Sequence, residues 1–302
     1  METATLGDAA LTVSRLGLGL AALGRPAYIN LGHDADLTGD RSVAALERHS
    51  FAVLDAARTA GVTYFDAARS CGRAEHFLSG WLADRTVGAD EVVVGSKWGY
   101  TYTADWSTDA EVHEVKEHTR AKLEAQISDS RSLLDSHLRV YQIHSATEES
   151  GVLDNRAVLA RIGGLRDEGL VIGFTTSCPD QPATIQRAIE IEVDGRRLFG
   201  TVQATWNLLE PSAGPALATA HEAGLGVIVK EAVANGTHAT QPRTRRPPRT
   251  GDTRSHCRRG RARRSAPAAL DRRGPERRRH RPPARRKPRR ARPAADRPCR
   301  RR

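Results

Sequence analysis

Three short apolar runs in this chain end on residues able to hold or move a proton. GVTYFD closes on Asp66, VVVGSK on Lys97 and RVYQIH on His144. A carboxylate, an ammonium and an imidazole delivered at the C-terminal ends of successive strands is the pattern of a catalytic barrel mouth. Alone, each such residue is more often surface or packing. Together at successive strand ends they point to chemistry.

The elements that would position them can be read from hydrophobic periodicity. Leu6 to Leu20 reads as a small hairpin followed by a strand at 16–20. Further strands are expected at 62–66, 91–96, 139–144, 170–175, 200–204 and 225–230. Helical patterns fall at 43–60, 73–84, 112–135, 154–168, 181–190 and 213–223. Val- and Ile-rich strands alternating with amphipathic helices mean βαβ units and a parallel sheet. Seven strands in a chain of 302 residues favour an α/β fold of the (β/α)8 TIM barrel type over an open doubly wound sheet. No G-x-G-x-x-G opens a helix after the first strand, which argues against a Rossmann domain. An eighth strand and helix should follow Gly236. The sequence there, THATQPRTRRPPRTG, has the pattern of neither, so the barrel is expected to lack its last unit.

Composition divides the chain at about the same place. Residues 239–302 carry 25 Arg, one Lys and four acidic residues, a net charge of +22. The preceding 238 residues carry 21 basic and 32 acidic residues, a net −11. The body therefore has no electrostatic footprint for nucleic acid. The basic segment holds 10 of the 15 prolines and, among the large apolar residues, only Leu270. It cannot bury enough apolar area to offset the entropy of ordering, so disorder is expected there. The expected organisation is a barrel over 1–236 and an Arg/Pro-rich tail over 237–302. The four cysteines have no zinc or disulfide spacing, and no metal site is expected. No leader and no membrane-length apolar run is apparent, so the expected location is cytoplasmic.

Five stretches in order carry a family resemblance. They are GVTYFDAARSCG (61–72) with Glu75, GSKWG (95–99), YQIHSA (141–146), GLRDEGLVIGFTTS (164–177) and VQATWNLLEP (202–211), with GLGVIVKEAVANG (224–236) beyond. Over roughly 5–236 the chain resembles the aldo-keto reductases, NADPH-dependent oxidoreductase barrels. The resemblance implies hydride transfer from NADPH, with NADH as an alternative, to the carbonyl of a small aldehyde or ketone. It implies that Lys97, paired with Asp66, tunes the proton donor and that His144 orients the carbonyl. It places cofactor contacts at Thr175 and Thr176, at Gln203, whose amide can pair with the nicotinamide carboxamide, and at Lys230. Thr175 and Thr176 depart from the family's Ser-Asn pair, and Lys230 from its common aromatic.

Two departures bear on activity. The family's proton-donating tyrosine corresponds to Cys71. A thiol, with an ordinary pKa of about 8.5, can donate a proton but is much shorter than a phenol, so impaired catalysis is expected. Tyr64, Tyr100 and Tyr102 are alternative donors, with wall or loop packing as their plainer role. Trp98 and the loop 25–36 are expected to shape the substrate pocket. The second departure is the tail, where nothing matches the family's 2′-phosphate site. A change of reading frame near residue 237 would produce such a shift to Arg, Pro, Ala, Gly and Ser. The competing reading is a non-catalytic, degenerate reductase whose basic tail binds nucleic acid nonspecifically. A barrel without its eighth unit leaves open edges and is expected to be weakly stable and to bind NADPH weakly.

Overall fold

The computed structural model describes residues 1–9, 11–26, 40–177 and 180–234. The expectations for the tail (disorder, the missing last unit, the frame change and nucleic-acid binding) lie outside the described residues, as does most of the loop 25–36.

The chain begins with a hairpin, β1 (Thr3–Leu6) against β2 (Leu11–Ser14), then β3 (Gly17–Gly19). Strands and helices then alternate: α1 (Val43–Thr59), β4 (Tyr64–Asp66), α2 (Ala74–Asp84) and β5 (Val93–Trp98). A second hairpin, β6 (Tyr100–Tyr102) with β7 (Glu114–Lys116), precedes α3 (Arg120–Leu134) and β8 (Leu138–Ala146). The order continues through α4 (Arg156–Asp167), β9 (Val171–Thr176) and α5 (Gln181–Ile189). A small hairpin, β10 (Glu192–Val193) with β11 (Arg196–Arg197), leads to β12 (Thr201–Thr205), α6 (Gly214–Glu222) and β13 (Gly226–Lys230). Seven strands form one parallel sheet in the order β13-β12-β9-β8-β5-β4-β3. This is the curled sheet of a (β/α)8 barrel, with seven strands among the described residues.

Local chemistry sets the helix starts. Ser42, Thr119 and Asn155 cap α1, α3 and α4 by accepting from Ala45 N, Lys122 N and Val158 N. Prolines in the first turn start α5 and α6. The Thr119 cap corrects the helix expected over 112–135. Residues 114–116 of that range instead alternate as β7, and the helix begins only at Arg120.

Strand alternation sorts the side chains onto two faces. Phe65, Val94, Tyr141, Ile172, Phe174 and Val202 point outward and join the main core beneath the helices. Tyr64, Val93 and Val140 point the other way and form a second cluster with Leu6, Leu11 and Val13 of the first hairpin. The hairpin thus plugs the floor of the barrel. Two to four residues further along the same strands, on the same inner face, come Asp66, Lys97 and His144.

Candidate active site

Asp66 is the hub of the inner polar layer. Lys97 Nζ donates to Asp66 Oδ2, and to the carbonyl of Ala67 at 3.1 Å. Gln203 Nε2 donates to the same carboxylate oxygen at 3.1 Å. Gln142 Nε2 and the Tyr64 hydroxyl donate to Oδ1 at 3.2 and 3.4 Å. The ion pair is shielded, with side-chain exposures of 9% for Lys97 and 12% for Asp66. Gly95, beside Asp66 in the sheet register, makes room for it: a Cβ there would lie 2.5 Å from the Tyr64 hydroxyl and 3.1 Å from Asp66 Oδ1. Buried Gln142 Oε1 and Thr201 Oγ1 have no partner among the described residues, so the layer keeps acceptor capacity.

The segment after β4 runs on beside β5. Ala67 N donates to Gly95 O at 2.8 Å and Arg69 N to Lys97 O at 3.0 Å. Its outer side is held by Glu75, which accepts from Arg69, Ser96 and Ser130. Cys71 lies at the end of this segment, buried, and its N–H donates to Ala68 O at 3.0 Å. Burial pushes its thiol up, against a downward pull from Arg25 and Lys97. The backbone here is pressed against Gly24. A Cβ on Gly24 would strike the Cys71 carbonyl and come within 2.5 Å of Ala74 N, and Arg73 N donates to Gly24 O at 2.7 Å.

His144 enters from β8 within a break in its pairing with β9, between Ile143 and Ala146, where Ser145 has φ +55°. The Ser70 hydroxyl lies 3.3 Å from His144 Nδ1. His118 Nε2 donates to the His144 carbonyl at 3.0 Å, and the Tyr100 ring packs on the imidazole at 4.9 Å between centroids. Burial holds the His144 pKa well below its ordinary range, and Lys97, Lys230, His118 and Lys116 push the same way. His144 is therefore a neutral imidazole at pH 7. Of the other tyrosines, Tyr64 is buried in the floor with its hydroxyl on Asp66, and the Tyr100 ring packs on His144.

The remaining sequence candidates come from the other half of the sheet. Thr175 Oγ1 accepts from Ser145 N at 2.7 Å and keeps its own proton to donate. Thr176 Oγ1 donates to Gln181 Oε1 at 3.0 Å and is buried. Lys230 ends β13 and reaches Glu231 at 3.3 Å. Asn207 secures the loop after β12 by donating to Glu231 O and accepting from Leu209 N and Glu210 N. Trp98 is fully buried, in edge contact with His118, and packs the wall. A cavity of about 780 Å³ runs along β3 and β13 from the first hairpin (Leu6, Val13) up to Asp66, Gln203 and Lys230; Lys97, Cys71 and His144 are not among its lining residues. Two residues that touch the site escaped sequence reading. Gln142 lies two before His144 and could have been found by strand parity. Nothing in the sequence marks Ser70.

Comparison with known proteins supplies the class. The Aldo/keto reductase family model matches residues 15–280, so the chain belongs to the aldo-keto reductase family and is an oxidoreductase by class. The matched span runs past Gly236 into the arginine-rich segment. The fold is similar to that of a protein described as an aldo-keto reductase from Pseudomonas aeruginosa (TM-score 0.59, 24% identity, 78% of this chain and 79% of that one). It is also similar to the holo form of an aldo-keto reductase from Bacillus halodurans (TM-score 0.59, 19% identity, 81% and 71% covered). An aldo-keto reductase of the silkworm Bombyx mori has a TM-score of 0.50 at 14% identity, with 80% and 67% covered. At these identities the likeness speaks for the fold alone. No curated protein sequence matches the chain. Among the described residues, no helix is long and apolar enough to cross a membrane, and no cluster of His, Cys, Asp and Glu could hold a metal ion.

Proposed function

We infer that the chain reduces small aldehydes or ketones with NADPH, NADH being the alternative, and does so slowly. The observation that carries this reading is the shielded Asp66–Lys97 pair beside a neutral His144 at the ends of adjacent strands. The described residues fit the nicotinamide end of the cofactor. Gln203 lines the cavity, and among the described residues no donor takes up its Oε1, which leaves an acceptor for a carboxamide N–H. Thr175 retains a hydroxyl donor nearby. Thr176 shapes the site through Gln181, and Lys230 supplies a cation at the cavity rim.

When bound, the reduced nicotinamide supplies hydride to the carbonyl carbon. The protein's task is to hold that carbonyl and deliver a proton to its oxygen. Lys97, fixed by Asp66, keeps positive charge where the oxyanion develops. Neutral His144 orients the oxygen. Cys71 occupies the donor position with a protonated thiol, but its short side chain places the proton further from the substrate than a phenol would. Carbonyl-dependent NADPH oxidation by the wild type and by Cys71→Tyr tests this. The tyrosine variant is expected to be about 10²–10⁴-fold faster, the usual range for general acid catalysis. Equal rates overturn the impairment.

We further propose that the barrel unit is 1–236 and that 237–302 follows a frame change. Resequencing decides this: an alternative frame after Gly236 that encodes no strand-and-helix pattern ends the idea. The nucleic-acid reading rests only on the tail and has no support among the described residues.

A further inference from the structure

Ser70 lies in the segment between β4 and α2 and is 1% exposed. Its position is fixed from both sides: Arg69 N donates to Lys97 O at 3.0 Å, and Arg25 Nη1 to the Ser70 carbonyl at 3.4 Å. Among the described residues, the one partner of its hydroxyl is His144 Nδ1. A buried hydroxyl that only accepted a bond from that nitrogen would leave its own proton unpaired, which is costly away from water. Donation to Nδ1 satisfies it. A ring nitrogen that accepts carries no proton, so the proton of a neutral imidazole must sit on the other nitrogen. Among the described residues His144 Nε2 makes no hydrogen bond, and the residue keeps partial exposure.

From this geometry we propose that Ser70 is a positioning residue. Its hydroxyl locks neutral His144 in the Nε2–H tautomer, so that a donor and not a lone pair faces the substrate carbonyl. This deepens the reductase reading and rests on it for its consequence, although the tautomer itself can be read without any cofactor. A carbonyl oxygen only accepts, so the opposite tautomer would set two lone pairs against each other. Donation stops at the hydrogen bond, since a neutral imidazole that gave up this proton would become an anion. The groups facing the ring from neighbouring elements are Lys97 on β5, Tyr100 on β6, Lys116 on β7, His118 before α3 and Lys230 on β13. Four of these five are basic groups that disfavour a second proton on the ring.

The test is nitrogen-15 NMR of the His ring nitrogens in the full-length, cofactor-free protein at pH 7, with His144 assigned through its loss in His144→Gln. The expected wild-type spectrum has His144 protonated at Nε2 and bare, hydrogen-bonded Nδ1. Ser70→Ala is expected to move the Nδ1 resonance and admit the second tautomer, and Ser70→Thr to restore the wild-type pattern. In carbonyl reduction, kcat/KM should fall about five- to tenfold in Ser70→Ala, the worth of one hydrogen bond, with recovery in Ser70→Thr. A wild-type His144 protonated at Nδ1, or an Nδ1 resonance unmoved by Ser70→Ala, overturns the proposal. A wild type without reductase activity but with the expected spectra would sink the functional reading and leave the tautomer assignment standing.

Discussion

The floor and the mouth of the barrel interior are built by the same strands, and they differ in what holds them. Tyr64, Val93 and Val140 at the floor pack against the Leu6, Leu11 and Val13 plug. Asp66, Lys97 and His144 lie two to four residues further along β4, β5 and β8, where contact gives way to charge and hydrogen bonding. Floor residues stabilise by leaving water, and a neighbour can replace them at modest cost. Mouth residues carry desolvation penalties that only their partners offset, so removing one partner leaves the other stranded. Stability and chemistry are thus separated by only two to four residues along each strand.

Single substitutions can break or sharpen this contrast. Beyond the rate gain expected of Cys71→Tyr, the largest effect on stability should come from Lys97→Met, which leaves Asp66 buried without its cation. A loss of about 3–5 kcal/mol is expected, read from urea denaturation, with much of it recovered when Asp66→Asn is added. At the floor, Val140→Ala removes two methyl groups and should cost about 2 kcal/mol while leaving KM for a carbonyl substrate unchanged. If Lys97→Met costs no more than Val140→Ala, the two regions do not differ as described.

The smallest effect is a slope in pH. Burial, with Lys116 nearby, holds His118 down to about 4 in the folded protein. Unfolded, it titrates near 6.5. As pH falls between these values the unfolded chain takes up the proton first, so stability should decline by up to about 1.4 kcal/mol per pH unit on this account. His144 is depressed for the same reason and acts in the same direction. Urea midpoints at pH 7 and pH 5 should differ less in His118→Asn, whereas Val140→Ala should keep the wild-type slope.

Much of this was legible in the sequence because parallel strands buried on both faces leave short, mostly apolar runs, as VVV (92–94) leading into β5 and VYQI (140–143) in β8 do. The strand-end residues Asp66, Lys97 and His144 could be found because alternation fixes which face each occupies. Residues 112–118 misled, since VHEVKEH supports helix as well as strand, and its partner Tyr100–Tyr102 lies across a long loop. Ser70 was invisible for another reason. Its role depends on a contact with a residue 74 positions away, in a segment with no periodicity of its own.

The contact at Gly24 has a consequence for how this site can change. Since the backbone at residue 71 is wedged against Gly24 and tied there through Arg73, the segment has no slack with which to advance toward substrate. Position 71 therefore behaves as the fixed end of a ruler. Whatever side chain is installed there sets, by its length alone, how far an acidic proton extends into the mouth, and a deficit in length must be repaired by a longer side chain at that position.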